Sequence, residues 1–181
     1  MPSGARDTSL ERDVGIKLLR PFIAAEPEQR RRFAREARTL ASLSNDHIVR
    51  VYDLVESDEN AFLVMEFIEG SNLAGVGVTF HRLPLHWSEA ASYAQPVCAA
   101  LAYAHAEGVI HRDLSPASIL IERETGRVVT TDFGLARIAR SADSLTTIGI
   151  LLGTPEYWSP EQAMGRDSES AADMYALGCI L

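Results

Sequence analysis

Residues 1–70 alternate hydrophobic and polar positions in a way typical of a small antiparallel sheet. Residues 6–19 predict two strands around a polar turn, with "DVGIKLL" as a half-buried strand. The segments "HIVRVYDLV" and "AFLVMEFI", separated by the acidic turn "ESDEN", predict an antiparallel hairpin. Residues 27–43 place apolar side chains on one face at helical spacing, which predicts a single helix before that hairpin.

Residues 71–181 show a mainly helical pattern, so the expected fold class is α+β. Residues 87–107 predict a helix that is kinked or restarts at Pro96, because proline lacks a donor and clashes with the preceding turn. "SILIE" and "RVVTTD", joined by "RETG", predict two short strands. Residues 135–158 predict a long irregular loop, and such loops are usually functional. "SAADMYALGCIL" predicts an apolar helix that is still running where the sequence ends.

The net charge narrows the class of partner, and the cysteine content indicates the cellular compartment. The net charge of −8 argues against a nucleic-acid partner, because phosphate backbones are bound by clustered positive charge. The basic stretch "EQRRRFAREAR" is interrupted by glutamates at helical spacing, which is typical of a solvated helix face. Two cysteines, no zinc-binding motif and no signal or membrane segment favour a cytoplasmic location with reduced thiols.

Five motifs occur in a fixed order along the chain. Lys17 ends "VGIK" on a predicted strand, and Glu36 lies on the next predicted helix. "HRD" at 111–113 precedes "DFG" at 132–134, and "GTPEYWSPE" fills 153–161. A single tripeptide of this kind occurs by chance, but five in register are specific.

This set resembles the signature of eukaryotic-type protein kinases. "REARTLASL", "YAHAEGVIHRDL" and "DFGLARI" are similar to bacterial serine/threonine protein kinases, and the resemblance extends from about Arg6 to Leu181. It implies a bilobal fold with a partial N-lobe at 1–70 (a small sheet and one helix) and a partial, mainly helical C-lobe at 71–181. It also implies ATP and Mg²⁺ as cofactors and a protein substrate with a Ser or Thr hydroxyl.

The resemblance gives the motif residues catalytic roles. Lys17 would hold the α- and β-phosphates, and Glu36 would orient Lys17 through an ion pair. Asp113 would accept or orient the substrate hydroxyl's proton, and Asp132 would ligate Mg²⁺, which prefers carboxylate oxygen. Taken singly, these residues also fit ordinary roles: a strand-edge lysine, a glutamate paired within its helix, and carboxylates in turns.

Further positions are implied around this centre. Backbone groups of Glu66 and Ile68 would contact adenine, with Gly15 and Leu120 on either side of the ring. In the long loop, a phosphate on Ser144, Thr146 or Thr147 would pair with Arg112, while Thr154 would shape the substrate side. The residues expected to be structural are His111, Arg112, Phe133, Gly134, Leu40, Val51, Glu161 and Asp173.

The chain departs from the family pattern at two catalytic positions. The family's HRDLKPxN motif has Lys where this chain has Ser115 and Asn where it has Ser118. Losing a cation aimed at the transferring phosphate costs roughly 3–4 kcal/mol in the barrier, about a hundred- to a thousandfold in rate. Ser118 still offers one hydroxyl oxygen to Mg²⁺, so the metal position is weakened rather than removed.

The ends of the sequence depart from the pattern as well. No G-x-G-x-x-G lid precedes Lys17, and the chain stops inside the helix that carries Asp173. We therefore expect a kinase domain that is truncated at both ends, with Glu161 lacking its usual Arg partner.

Three functions remain open at this point. The first is an ATP- and Mg²⁺-dependent serine/threonine protein kinase. The second is a kinase-like binding module without useful turnover (a pseudokinase), and the third is a fragment of a longer kinase. Small-molecule phosphotransferases related to aminoglycoside kinases are a rival fold, but they lack the "DFG…GTPEYWSPE" stretch.

Overall fold

The computed structural model describes residues 3–19, 27–56, 61–75, 85–133 and 154–181. Within these ranges, no helix is long and apolar enough to span a membrane. The described residues form two antiparallel sheets and a set of helices, which is the predicted α+β class.

The first sheet contains four antiparallel strands in the order β1-β2-β4-β3. The predicted turn between β1 and β2 is closed by Asp7, whose Oδ1 accepts hydrogen bonds from the backbone N–H groups of Ser9 and Leu10 at 3.0 and 3.1 Å. The strands are β1 (Ser3–Asp7), β2 (Arg12–Leu19), β3 (Val51–Glu56) and β4 (Ala61–Glu66).

The hairpin β3–β4 begins later than the sequence predicted. The prediction placed residues 47–50 in β3, but the strand starts at Val51. Residues 47–49 instead contact the second sheet: the N–H of Thr130 donates to the carbonyl of His47 at 2.8 Å, and the N–H of Val49 donates to the carbonyl of Thr130 at 3.0 Å. Because these backbone groups are already paired, the segment joins the two sheets rather than lengthening the hairpin.

One helix packs against the first sheet, as the helical spacing predicted. Helix α1 (Pro27–Ser42) contacts β3 and buries Ala37 and Leu40. These two buried side chains lie one turn apart and form the apolar face that holds the helix in place.

The second sheet has three antiparallel strands in the order β5-β6-β7. They are β5 (Gly70–Asn72), β6 (Ile119–Glu122) and β7 (Val128–Thr130). Gly70 is required where it stands, since a Cβ there would lie 1.9 Å from the carbonyl oxygen of Ile121. The predicted lobe boundary at residues 70 and 71 falls within β5, and it stays a prediction.

The longest helix, α2 (Trp87–Ala106), continues through Pro96 without restarting. This continuity excludes the restart, one of the two predicted alternatives, and a kink at Pro96 stays a prediction. Its apolar face supplies the reason: Val97, Ala100, Leu101 and Ala104 follow the proline directly and are all buried, so packing holds the helix together.

The remaining helical elements surround the segment 107–118. One short 3-10 turn, Pro116–Ser118, follows "HRD". A second, Pro155–Tyr157, lies within "GTPEYWSPE" and inside the stretch predicted as irregular loop. A short helix α3 (Pro160–Ala163) is followed by α4 (Ser170–Ile180). The main buried cluster joins α1, α2, β6, β7 and α4, and it includes Leu40, Leu101, Leu114, Ile119, Phe133 and Leu177.

Candidate active site

A buried carboxylate fixes the backbone of the "HRD" loop. Asp173, on α4, is 1% exposed, and its Oδ2 and Oδ1 accept hydrogen bonds from the N–H groups of His111 and Arg112, each at 2.8 Å. The Nε2 of His105 also contacts Oδ2 at 2.8 Å. The expected structural role of Asp173 thus has a geometric basis. The sequence reasoning did not single out His105, although it lies in the "YAHAEGVIHRDL" stretch that resembles the family.

Two residues of the motifs adopt backbone angles that side chains usually avoid. Arg112 has φ 68° and Asp132 has φ 71°, both in the left-handed region. Such conformations cost about 1–3 kcal/mol each and persist where surrounding contacts impose them. At Arg112 those contacts include Asp173 and Gln162, whose Nε2 donates to the Arg112 carbonyl at 2.8 Å. Gln162, in α3, was not among the predicted site residues.

His111 is fully buried and uses both ring nitrogens inside the protein. Its Nδ1 accepts from the N–H of Asp113 at 3.3 Å, so its Nε2 carries the proton donated to the carbonyl of Thr131 at 2.8 Å. The ring packs against Phe133 with centroids 4.7 Å apart. Phe133 lies in the same buried cluster as Leu40, and Val51 packs against it. This arrangement suits a packing residue rather than a general base.

Lys17 and Asp132 meet across the two sheets. Lys17 comes from β2, Asp132 follows β7, and Lys17 Nζ lies 2.6 Å from Asp132 Oδ1. Each side chain is about one third exposed, so both reach solvent while paired. The fold therefore places a cation and a carboxylate side by side in an open position.

Asp113 lies close enough to Asp132 for the two carboxylates to interact, and it is partly buried. Its Oδ1 accepts a hydrogen bond from the N–H of Thr154 at 3.1 Å, which joins the catalytic-loop segment to the "GTPEY" segment. Burial raises the pKa of Asp113, and the nearby Asp132 carboxylate raises it further, while Thr154 and His111 oppose the shift. Asp113 therefore binds a proton more readily than an ordinary aspartate.

Ser115 and Ser118 are both buried and hydrogen-bonded to each other. The Oγ of Ser118 donates to the carbonyl of Ser115 at 2.9 Å and accepts from its N–H at 3.1 Å. A hydroxyl has one donor and two acceptor lone pairs, so one lone pair of Ser118 remains for another partner. The two serines hold the 3-10 turn in place and supply no charge.

The positions expected around adenine lie on both sheets. Gly15 is opposite Met65 in the β2–β4 pairing, and Leu120 is buried in β6. Ile68 is half-buried and packs on the cluster that contains Met65. Glu66 ends β4, and its side chain forms an ion pair with Arg127, which the sequence reasoning also missed.

Several predicted residues cannot be assigned a geometry. Glu36 lies in α1, but its side chain is outside the described part of the structure, so its ion pair with Lys17 stays a prediction. Glu161 lies in α3 with a half-buried side chain. Four further residues lie outside the described residues: Gly134, Ser144, Thr146 and Thr147.

The donor set around Asp132 fits a divalent cation that also takes ligands from a nucleotide. In the described ranges no group of three or more His, Cys, Asp or Glu side chains could hold a metal. Mg²⁺ usually binds one or two carboxylates together with substrate phosphates, so it needs no such cluster. Asp132 would supply one carboxylate, and Ser118, whose carbonyl accepts from the N–H of Thr131 at 2.9 Å, stays the predicted second oxygen ligand.

Comparison with known proteins matches this geometry to one family. The model of the protein kinase domain matches residues 4–181. The chain belongs to the protein kinase family. The fold and the resemblance predicted from the five motifs are thereby confirmed, and protein kinases as a family use ATP and Mg²⁺.

The similar curated proteins are bacterial serine/threonine kinases. The chain is 39% identical over 181 residues to the serine/threonine-protein kinase PknB of Mycobacterium leprae, and 41% identical over 177 residues to PrkC of Bacillus subtilis. Each match covers 98% of this chain, which spans 29% and 27% of the length of these relatives.

Solved kinase structures agree at the level of the fold. A crystal structure of the Mycobacterium tuberculosis PknI kinase domain superposes with a TM-score of 0.76 at 29% identity. The superposition covers 96% of this chain and 64% of that one. The partial bilobal α+β arrangement predicted from the sequence is therefore that of known kinase domains.

Proposed function

We propose that this chain transfers the γ-phosphate of ATP to Ser or Thr hydroxyls of proteins, in the cleft where the two sheets meet. The observation that carries the proposal is the convergence of Lys17, Asp132 and Asp113 from three separate segments of the sequence. Phosphoryl transfer asks a protein mainly for positioning and charge stabilisation, and these residues supply both.

Asp113 is proposed to receive the proton of the substrate hydroxyl. As the new O–P bond forms and the bond to the β-phosphate oxygen breaks, the hydroxyl proton passes to the Asp113 carboxylate. The raised pKa of Asp113 makes it a better proton acceptor than an ordinary aspartate. The hydrogen bond from Thr154 holds its Oδ1, which leaves the other oxygen to face the substrate.

Lys17 and Asp132 are proposed to hold the nucleotide end of the reaction. The Lys17 ammonium would bind phosphate oxygens as a point charge, and the Asp132 carboxylate together with Ser118 would hold Mg²⁺. When bound, Mg²⁺ neutralises phosphate charge that develops during transfer. Gly15, Glu66, Ile68 and Leu120 would surround the adenine ring.

A second candidate function is a kinase-like binding module with little turnover. It is favoured by the two serines, because Ser115 offers no cation and Ser118 uses its hydroxyl mostly on the neighbouring turn. In this case Lys17 and Asp132 would still bind nucleotide, and the transfer step would be slow.

Phosphate transfer to a generic basic protein separates the two candidates. For the first, we expect measurable turnover that falls roughly 10²- to 10⁴-fold in Asp113→Asn. The matched control Asp167→Asn, at an exposed turn, should retain wild-type turnover. ATP binding without turnover would select the binding module. A chain that shows neither would reject both candidates.

A further inference from the structure

Arg127 joins three parts of the chain behind the proposed adenine site. Its Nη2 contacts both Glu66, at the end of β4, and Glu122, at the end of β6. Its Nη1 lies 3.5 Å from the carbonyl of Asp46, in the segment between α1 and β3. The Arg127 and Glu66 side chains are only 28% and 18% exposed, so the contact is largely removed from solvent.

Glu66 is held from a second side as well. Its N–H donates to the carbonyl of Arg50 at 2.8 Å, and its Oε2 accepts from the N–H of Arg50 at 3.3 Å. Arg127 therefore contacts the side chain of a residue, Glu66, whose backbone is also hydrogen-bonded. A movement of the Glu66 side chain would shift the first residue of the segment 66–69.

The other end of residues 66–69 carries a similar pair in a different environment. Arg123 Nη1 lies 2.9 Å from Glu69 Oε1, but these side chains are 74% and 72% exposed. The backbone N–H of Arg123 also donates to the Glu69 carbonyl at 2.8 Å, and a change of side chain leaves that bond in place. Exposed ion pairs contribute little, whereas breaking a partly buried pair is costly.

We infer that Arg127 is a positioning residue for residues 66–69, which fixes the backbone that meets adenine. This inference rests on the proposed function. Removing Arg127 would leave the Glu66 and Glu122 carboxylates facing the position of one shared cation. Their repulsion would move the end of β4 away from the β6–β7 hairpin. The Lys17–Asp132 pair lies elsewhere in the cleft and would keep its contact with phosphates.

The test compares ligands with and without the base, using the 181-residue chain. Binding of MgATP and of magnesium tripolyphosphate is measured for wild type, Arg127→Ala, Arg127→Lys and the matched control Arg123→Ala. We expect Arg127→Ala to weaken ATP about tenfold and to leave tripolyphosphate within about twofold. Arg127→Lys keeps the charge without the planar fork, so it should fall in between. Arg123→Ala should match wild type.

Equal loss of both ligands in Arg127→Ala, or a loss of ATP as large in Arg123→Ala, would overturn the inference. Hydrogen exchange of the unliganded chain gives a separate readout: amides 67–69 should exchange faster in Arg127→Ala than in Arg123→Ala. A wild-type chain that binds no ATP would refute the proposed function. In that case faster exchange in Arg127→Ala alone would still support the positioning role, and unchanged exchange would overturn it.

Discussion

The loop around Asp113 and the part of the cleft around Lys17 and Asp132 are built in different ways. The loop is held by a buried carboxylate, Asp173, that satisfies two backbone N–H groups and contacts His105. In the other part, Lys17 and Asp132 form one ion pair, with each side chain about one third exposed. Ser115 and Ser118 bond to each other and carry no charge.

The residues that fix the backbone of the loop are therefore different from the candidate catalytic residues. The strained backbone at Arg112 is imposed by Asp173 and Gln162, which belong to other elements and carry out no step of the reaction. The backbone of residues 111 and 112 therefore rests on contacts that do not involve position 115. We expect a substitution at 115 to change the rate of phosphate transfer while these contacts stay in place.

The largest expected effect comes from removing the Asp173 carboxylate, which fixes the backbone of residues 111 and 112. Asp173→Ala would leave the N–H groups of His111 and Arg112 without their acceptor in a buried position. We expect a loss of about 3–5 kcal/mol in the free energy of unfolding, measured by chemical denaturation. Met174→Ala, at the next and half-exposed position of α4, is the control and should change it by less than about 1 kcal/mol. Equal losses in the two variants would show that the hydrogen bonds of Asp173 do not stabilise the folded chain.

We expect the rate of phosphate transfer to rise when a cation is placed at position 115. Ser115→Lys places an ammonium where the family has one, and we expect kcat to rise about a hundredfold. The buried position should also make the unliganded variant less stable than wild type. Ala117→Lys, at an exposed position on the same turn, adds the charge elsewhere and should leave kcat unchanged. If both variants behave alike, the serine at 115 does not limit the reaction.

The smallest expected effect is a pH dependence of stability. Since the pKa of Asp113 is raised above 3.8 in the folded chain, folding favours the protonated carboxyl. That contribution is present below the ordinary pKa and is lost as pH rises through the folded value. Asp113→Asn should therefore become more stable relative to wild type as pH increases. Denaturation at several pH values measures this, and a constant difference would contradict the raised pKa.

Much of the fold follows from patterns that the sequence carries locally. Alternation predicted the strands, and helical spacing predicted α1. The start of β3 could not be predicted, because residues 47–49 pair with β7, some eighty positions later, rather than with β4. The sequence left open whether α2 continues through Pro96 for a similar reason: burial of the following turn outweighs the local cost of proline.

Residues of the candidate site could be predicted where they belong to motifs. They could not be predicted where their role depends on contacts with residues distant in the sequence. Lys17, Asp113 and Asp132 belong to recognisable motifs. Gln162 and Arg127 belong to none, and each contacts residues far away in the sequence. His105 lies in the "YAHAEGVIHRDL" stretch, but nothing in the sequence marks its contact with Asp173. Their roles emerge only when the folded positions are known.

Calorimetric titration of MgATP into wild type and Lys17→Met tests the central claim most directly. The claim is that Lys17 and Asp132 form one nucleotide site. We predict saturable binding by the wild type that weakens by at least about tenfold in Lys17→Met and disappears when Mg²⁺ is omitted. Binding of equal strength in both proteins, or independent of Mg²⁺, would contradict it.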